Sequence, residues 1–132
     1  MPKVSLVATL VATVLSFTLG GLWYGPLFGK SWMEENGFTP ETIKKNFNPV
    51  KLYGTTFLVS ALASGLFGMF VGPDPDLRYT VGAGLAVGVF WVAGSFATSY
   101  VFEGKTLRHF LINGGYHAMQ FGLIGLAFGL VG

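Results

Sequence analysis

The stretch "VSLVATLVATVLSFTLGGLWYGPLFG" occupies residues 4–29 and contains no charged side chain. A helix needs about 20 apolar residues to cross the roughly 30 Å hydrocarbon core of a bilayer. This run is long enough, and three further uncharged runs follow at 52–73, 79–102 and 110–132. The chain is 52% hydrophobic and 11% charged, whereas about a quarter of the residues in a soluble domain are charged. The sequence therefore predicts an all-α integral membrane protein that crosses the lipid bilayer four times.

The expected fold is an antiparallel four-helix transmembrane bundle that forms a single transmembrane domain over residues 1–132. The predicted helices cover about 4–28, 50–72, 77–102 and 107–131, and an interfacial loop covers 30–49. Thr39 followed by Pro40 is typical of a helix start. Ile43 and Phe47 then give a short helix an apolar side, which suits the headgroup region. Pro26 removes a backbone donor and is expected to kink or end the first helix.

Lysine and arginine are distributed unevenly between the two sides of the predicted bundle. The loops 29–51 and 103–109 share one side and carry Lys30, Lys44, Lys45, Lys51, Lys105 and Arg108. The termini and the loop 74–78 share the other side, which carries Lys3 and Arg78. Because an excess of lysine and arginine in short loops marks the cytoplasm, we expect both termini on the non-cytoplasmic side of the cell inner membrane.

The composition excludes several kinds of chemistry. The chain has no cysteine, so disulfides, zinc–thiolate sites and cysteine nucleophiles are absent. Its eight lysines and arginines are spread over four places, which leaves no basic face for a nucleic acid. His109 and His117 lie about 12 Å apart along one helix and cannot clasp one iron from a single chain. We expect no cofactor and no metal site.

The last predicted helix carries an unusual polar stripe. Its stretch "LINGGYHAMQFGL", residues 111–123, places Asn113, His117 and Gln120 at i, i+4 and i+7, which is one face of a helix. His117 lies about 10 Å below the loop side. The opposite side is apolar, and we expect it to face lipid; it consists of Ile112, Met119, Leu123, Leu126 and Leu130.

Other polar and aromatic residues are expected near the depth of this stripe. Trp91, near the centre of the third helix, is expected to form the floor of such a cluster or to be part of the core. The candidate ligand-binding residues are Trp23, Tyr24, Trp91, Ser95, Thr98, Asn113, His117 and Gln120. No aspartate or glutamate lies inside any uncharged run to orient His117 as a base. We therefore assign no catalytic residue, and an enzyme is the least favoured of the functions considered.

Two interpretations of the stripe stay open at this point. Polar side chains in membrane helices form interhelical hydrogen bonds that are worth about 0.6 kcal/mol on average. Ionisable groups inside a membrane also mark functional sites. The first interpretation predicts a non-catalytic accessory or structural subunit of a membrane assembly. The second predicts a small membrane protein that binds or passes a small solute through a polar pocket in the cytoplasmic half of the bundle. We favour hydrogen bonding for the stripe itself, because it has no carboxylate partner, and solute binding or passage for the function of the protein.

Small residues recur every four positions along the predicted helices, with one step of three between Gly122 and Gly125, which favours close helix packing in membranes. These ladders are Ala8, Ala12, Ser16 and Gly20; Ser60, Ser64, Gly68 and Gly72; Thr80, Gly84 and Gly88; and Gly114, Ala118, Gly122, Gly125 and Gly129. Four ladders exceed what a lone bundle needs. We expect at least one of them to face another subunit, so that the protein forms a homo-oligomer.

Two segments resemble a known family. They are "WYGPLFGKSWM" at residues 23–33 and "FLINGGYHAMQFG" at residues 110–122. The first is an aromatic-Tyr-x-Pro-(x)-Phe-Gly-Lys-x-Trp motif, and the second contains a Tyr-His pair. Both resemble the small, mostly bacterial membrane proteins catalogued as domain of unknown function seventeen-sixty-one (DUF1761), and the resemblance covers nearly the whole chain. It implies a bacterial integral membrane protein with four spans and implies no reaction, substrate or partner.

Overall fold

The computed structural model describes residues 4–132, and every regular element within them is helical. The α-helices are α1 Leu6–Leu22, α2 Gly29–Asn36, α3 Pro40–Asn46, α4 Pro49–Val71, α5 Leu77–Ala86, α6 Gly94–Glu103 and α7 Leu107–Val131. A π-helical turn, Trp23–Leu27, extends α1, and a second π-helical segment, Val87–Ala93, joins α5 to α6. Lys3, which entered the prediction of orientation, lies outside the described residues.

Three of the described helices are long and apolar enough to cross a membrane. They are Leu6–Leu27, Pro49–Val71 and Leu77–Glu103. The prediction of an all-α protein is confirmed for the described residues, and three of its helices are candidates to span a membrane. With its 25 residues, α7 has the length of a span, but it does not belong to this apolar group. A fourth crossing by α7 stays a prediction.

The region after the first span differs from the predicted loop. Pro26 has no N–H to donate, and the helix passes it through the π-helical turn, in which the Phe28 N–H donates to the Trp23 carbonyl oxygen at 2.8 Å. The chain then continues directly into α2. The sequence predicts a loop over 30–49, and the structure differs in forming this additional helix at its start. Gly37, with a φ of 68°, ends α2 in the left-handed conformation that glycine adopts without strain. The predicted helix start at Thr39 and Pro40 is confirmed by α3.

At the centre of the fold lies α7. It packs against α1, α5, α6 and the segment Val87–Ala93, whereas α4 packs mainly on α1. The core where α1, α4 and α7 meet consists of Ala8, Ala12, Phe67, Ile124, Ala127 and Phe128. Because other helices enclose α7, its lipid-facing side is narrower than predicted. Met119 and Leu130 are exposed, but Ile112 is buried, so its assignment to the lipid side was wrong.

The helices α5 and α7 touch backbone to backbone. A Cβ atom added to Gly84 would overlap the Phe121 carbonyl oxygen, and one added to Gly125 would overlap the Thr80 carbonyl oxygen. A Cβ atom on Gly88 would lie 2.8 Å from the Ala118 Cα. The small-residue ladders of these two helices therefore face each other within one chain.

The ladders of the first two spans are also used inside the chain. Three members of each are buried, namely Ala8, Ala12 and Ser16 on α1 and Ser60, Ser64 and Gly68 on α4. All four ladders thus have packing partners in the same chain. No ladder is therefore left over to indicate a contact with a second subunit. Homo-oligomerisation remains an untested expectation.

We expect Gly84→Ala to lower the free energy of unfolding by about 1–3 kcal/mol, because its methyl group meets backbone that has no room to move. Gly82→Ala on the same helix is the matched control. No atom lies within 4 Å of a Cβ atom at Gly82, so the higher helix propensity of alanine should stabilise the protein by about 0.5–1 kcal/mol. Equilibrium unfolding in mixed micelles measures both, and equal effects would contradict the α5–α7 contact.

Candidate functional site

Asn113 joins three elements of the structure. The Tyr24 hydroxyl donates to its Oδ1 at 2.7 Å, and its Nδ2 donates to the Tyr100 hydroxyl oxygen at 2.6 Å. Tyr24 belongs to the π-helical turn after α1, and Tyr100 is buried on α6. The structure therefore brings together Tyr24 and Asn113, which were both predicted site residues. Tyr100 was missed, although it lies on the same predicted helix as Ser95 and Thr98.

Two more hydrogen bonds attach the end of the first span to α7. The Trp23 Nε1 donates to the Ile112 carbonyl oxygen at 2.8 Å. The Tyr116 hydroxyl donates to the Ser16 carbonyl oxygen at 3.1 Å. Gly115 makes room for the indole, since a Cβ atom there would lie 3.1 Å from the Trp23 Cζ2. These bonds go to backbone oxygens and fix how α1 and α7 pack.

The "WYGPLFG" segment, residues 23–29, explains why Trp23 and Tyr24 both reach α7. Pro26 cannot donate to the preceding turn, and the π-helical turn accommodates it. The wide turn brings the Tyr24 carbonyl oxygen against Gly29, where a Cβ atom would lie 2.5 Å from it. Single π-helical turns occur frequently at functional sites. This turn presents two aromatic polar side chains to α7 on consecutive residues.

His117 and Gln120 pair with each other on α7. The His117 Nδ1 lies 2.7 Å from the Gln120 Oε1. Because a carbonyl oxygen only accepts, Nδ1 carries the proton and Nε2 is the acceptor of a neutral imidazole. No hydrogen bond from residues 4–132 reaches His117 Nε2 or the Gln120 amide nitrogen. The pair therefore leaves one acceptor and one donor available.

Aromatic rings and burial define the surroundings of this pair. The Phe96 ring stacks on the imidazole with centroids 5.3 Å apart, and the Tyr116 ring meets it edge-on at 4.8 Å. Gln120 is 5% exposed. We predicted that the stripe joins α7 to the first and third spans by hydrogen bonds. Asn113 does so, whereas His117 meets the third span only by stacking and Gln120 forms its hydrogen bond within α7.

The remaining predicted residues do not converge on the stripe. Trp91 is 69% exposed, so it is neither core nor the floor of the cluster. Ser95 and Thr98 are also exposed, and their hydroxyls donate to the carbonyl oxygens of Trp91 and Gly94 on their own helix. Counting residues along the helix predicts how deep these residues lie, but it does not predict the direction in which their side chains point.

Trp91 and Ser95 instead line an open groove on the outer face of the third span. The groove has a volume of about 400 Å³ and is lined by Val87, Trp91, Val92, Ser95, Phe96 and Ser99. Phe96 thus contributes to the groove and also stacks on His117. The network around Asn113 does not line the groove. The predicted cluster is divided into a hydrogen-bond network around Asn113 and a groove, and Phe96 contacts both the groove and His117.

Comparison with known families adds one finding to this geometry. Residues 7–129 match the family described as "Protein of unknown function (DUF1761)". The chain belongs to this family. The resemblance drawn from residues 23–33 and 110–122 is therefore confirmed. No curated protein and no solved structure matches the chain. Membership of DUF1761 assigns no substrate and no activity to the chain.

A second set of contacts in this DUF1761 chain holds α2 against the start of α7. The Arg108 Nε lies 2.8 Å from Glu35 Oε1, and its second guanidinium nitrogen lies 3.3 Å from Glu34 Oε2. The Thr106 hydroxyl donates to Glu35 Oε1 at 2.6 Å. The hydrogen bond from Thr106 and the Arg108 guanidinium hold the pKa of the Glu35 carboxyl below its usual range. Sequence analysis missed this clamp because acids and bases in two separate loops carry no spacing signal.

Metal chemistry finds no ligand set in the part of the chain that the structure describes. No group of three or more histidine, aspartate or glutamate side chains there is placed to hold a metal ion. The two histidines occupy different surroundings, because the His109 ring lies 5.0 Å from Tyr100 and the His117 ring lies against Phe96. What the site offers is hydrogen bonding and aromatic contact.

We expect Tyr24→Phe to lower the free energy of unfolding by about 0.6–1.7 kcal/mol, the range for interhelical hydrogen bonds in membranes, because Asn113 Oδ1 loses its donor. Tyr53→Phe is the matched control. Tyr53 is exposed and contacts Phe17 through its ring, which the substitution keeps. Equilibrium unfolding in mixed micelles compares the two. A loss of the same size in both variants would contradict a stabilising role for the Tyr24–Asn113 bond.

Proposed function

We propose that the protein binds a small solute, without catalysing a reaction, at His117 and Gln120. One observation carries this proposal. The Asn113 amide is bonded at both ends, to the Tyr24 and Tyr100 hydroxyls, whereas among the described residues nothing donates to His117 Nε2 and the Gln120 amide nitrogen donates to nothing. Polar groups in a membrane are expensive to leave unpaired. An acceptor and a donor on neighbouring turns suit a small solute that carries both kinds of group.

Phe96 and the groove beside it give such a solute a route to the pair. The ring lines the groove of about 400 Å³ and also stacks on the imidazole. In this proposal, rotation of the Phe96 ring opens the way from the groove to His117. The groove opens on the outer face of the third span, so the entrance in this proposal is lateral and Phe96 is its wall.

Membrane placement of α7 is part of the proposal. The uncharged run 110–132 is long enough to span a bilayer. The helix α7 is less apolar than the three candidate spans, and this is consistent with a central position in which the other helices cover its polar stripe. We place the four helices antiparallel in a bacterial inner membrane, with both termini on the non-cytoplasmic side and α3 in the headgroup region, because six of the lysines and arginines lie between the spans on the other side.

Reporter fusions test this orientation. A reporter that is active only in the cytoplasm should be inactive when fused at Gly132 and active when inserted within 36–46. The second position lies in and around α3, between the first and second spans. A cytoplasm-only reporter that is active at Gly132 and inactive within 36–46 would overturn the orientation. Activity at both positions would overturn the fourth crossing by α7.

Mass spectrometry of small molecules that co-purify with the protein tests the binding site. We expect a species enriched on the wild-type protein to be lost from His117→Gln, while thermal unfolding stays unchanged. Glutamine remains neutral and keeps a donor and an acceptor, but it does not place them where the imidazole does. Thr98→Ala is the control, because Thr98 is exposed and bonds only to its own helix. That variant should retain the species.

The accessory role remains a second candidate because one observation favours it. Tyr24, Asn113 and Tyr100 are joined to one another by hydrogen bonds between helices, as in a purely structural contact. If no small molecule is enriched on the wild-type protein, or if His117→Gln retains it fully, solute binding is wrong and an accessory subunit is favoured. Homo-oligomerisation stays part of either proposal and is not supported by the packing of the ladders.

A further inference from the structure

Little of the protein described by residues 4–132 packs around the first half of α4. Every residue from Asn48 to Val59 is exposed, and this length covers about three full turns, so each side of the helix is largely open. The Phe17 ring approaches this half, at 5.9 Å from both Tyr53 and Phe57. The second half is different, since four of its residues are buried: Ser60, Ser64, Phe67 and Gly68. Something outside the chain must cover the first half.

Three lysines stand at the start of this exposed half. Lys44 and Lys45 belong to the last turn of α3, and Lys51 belongs to the first turn of α4. Asn48 accepts from the backbone N–H groups of Val50 and Lys51 and fixes the short junction between the two helices. All three lysines are exposed, and within residues 4–132 none of them forms an ion pair. The N-terminus of α4 adds a positive partial charge at the same place.

Aromatic rings hold this junction in position. Phe47, between the lysines, meets Phe38 edge-on at 5.5 Å, and Phe38 meets Trp32 at 5.4 Å. Trp32 in turn meets Tyr24 at 5.7 Å. The junction that carries the three lysines is therefore tied through α2 to the π-helical turn.

We propose that an anionic phospholipid binds here, with its phosphate at Lys44, Lys45 and Lys51 and its acyl chains along the exposed half of α4. The exposed side chains of this half include Leu52, Phe57 and Leu58, which suit acyl chains. Clustered lysines next to a membrane helix attract anionic headgroups. The inference rests on the proposed membrane placement of α4, with its lysine-rich end at the cytoplasmic surface, and does not rest on the solute site.

A second copy of the chain fits this surface less well than a lipid. Two copies that share one orientation in the membrane bring the same residues to the same depth. A contact through the first half of α4 would therefore place two sets of three unpaired lysines side by side, and like charges that meet in this way are repulsive. An anionic phosphate compensates the same charges, and its chains cover the same apolar surface.

Native mass spectrometry of lipid retention tests the site. The purified protein is exchanged into nanodiscs that contain equal amounts of phosphatidylglycerol and phosphatidylcholine, and the lipids that stay bound on release are counted. We expect the wild-type protein to retain phosphatidylglycerol preferentially. Lys44→Gln combined with Lys51→Gln should lower that preference about ten- to thirty-fold, from the attraction per lysine near a membrane surface. Lys44→Arg combined with Lys51→Arg should keep it.

Lys30→Gln combined with Lys105→Gln is the matched control, because both lysines are exposed and are assigned to the same side of the membrane. We expect this variant to keep the preference. An equal loss in both pairs of variants would reduce the effect to general surface charge and overturn the site. A wild-type dimer that retains no phosphatidylglycerol would overturn it in favour of a second copy. His117→Gln should keep the lipid preference, so failure of the solute site and failure of the lipid site are distinguishable.

Discussion

The rest of the structure depends on enclosing α7, the helix that carries Asn113, His117 and Gln120. Polar side chains on a membrane helix must be covered by protein, and lipid gives helices no hydrophobic reason to associate. Close approach has to supply the attraction instead. At α5 and α7 the approach is so close that Gly84 and Gly125 leave no room for a Cβ atom against backbone oxygens. The glycines thus let α5 approach α7 closely enough for protein to cover the polar stripe.

The two π-helical segments lie on either side of that stripe. Trp23–Leu27 turns the indole of Trp23 and the phenol of Tyr24 toward α7. Val87–Ala93 precedes the part of the third span from which Phe96 and Tyr100 reach the stripe. An extra residue in a turn changes the direction of every side chain after it. The first and third spans therefore present aromatic rings to the same helix.

Composition and periodicity were sufficient for the features that depend on local chemistry. The all-α class, the helix start at Thr39 and the faces of α5 and α7 that consist of small residues follow from residue types at fixed spacing. The meeting of Tyr24 and Asn113 followed from depth alone. Depth failed for Trp91, Ser95 and Thr98, because a π-helical segment alters helical phase and the sequence gives no count of its residues. Ile112 failed because enclosure of α7 on several sides is a tertiary property that no single helix pattern contains.

The distinction between packing and function rests on which polar groups are used up. Both ends of the Asn113 amide are bonded, to Tyr24 and Tyr100, and these bonds account for a buried amide on α7 without any ligand. His117 and Gln120 form one hydrogen bond with each other, through His117 Nδ1 and Gln120 Oε1. A helix that needed only a neutral, space-filling pair would meet that need with apolar residues at lower cost, since unpaired polar groups are penalised in a membrane. The unused acceptor and donor beside Phe96 are therefore the feature of α7 that packing does not explain.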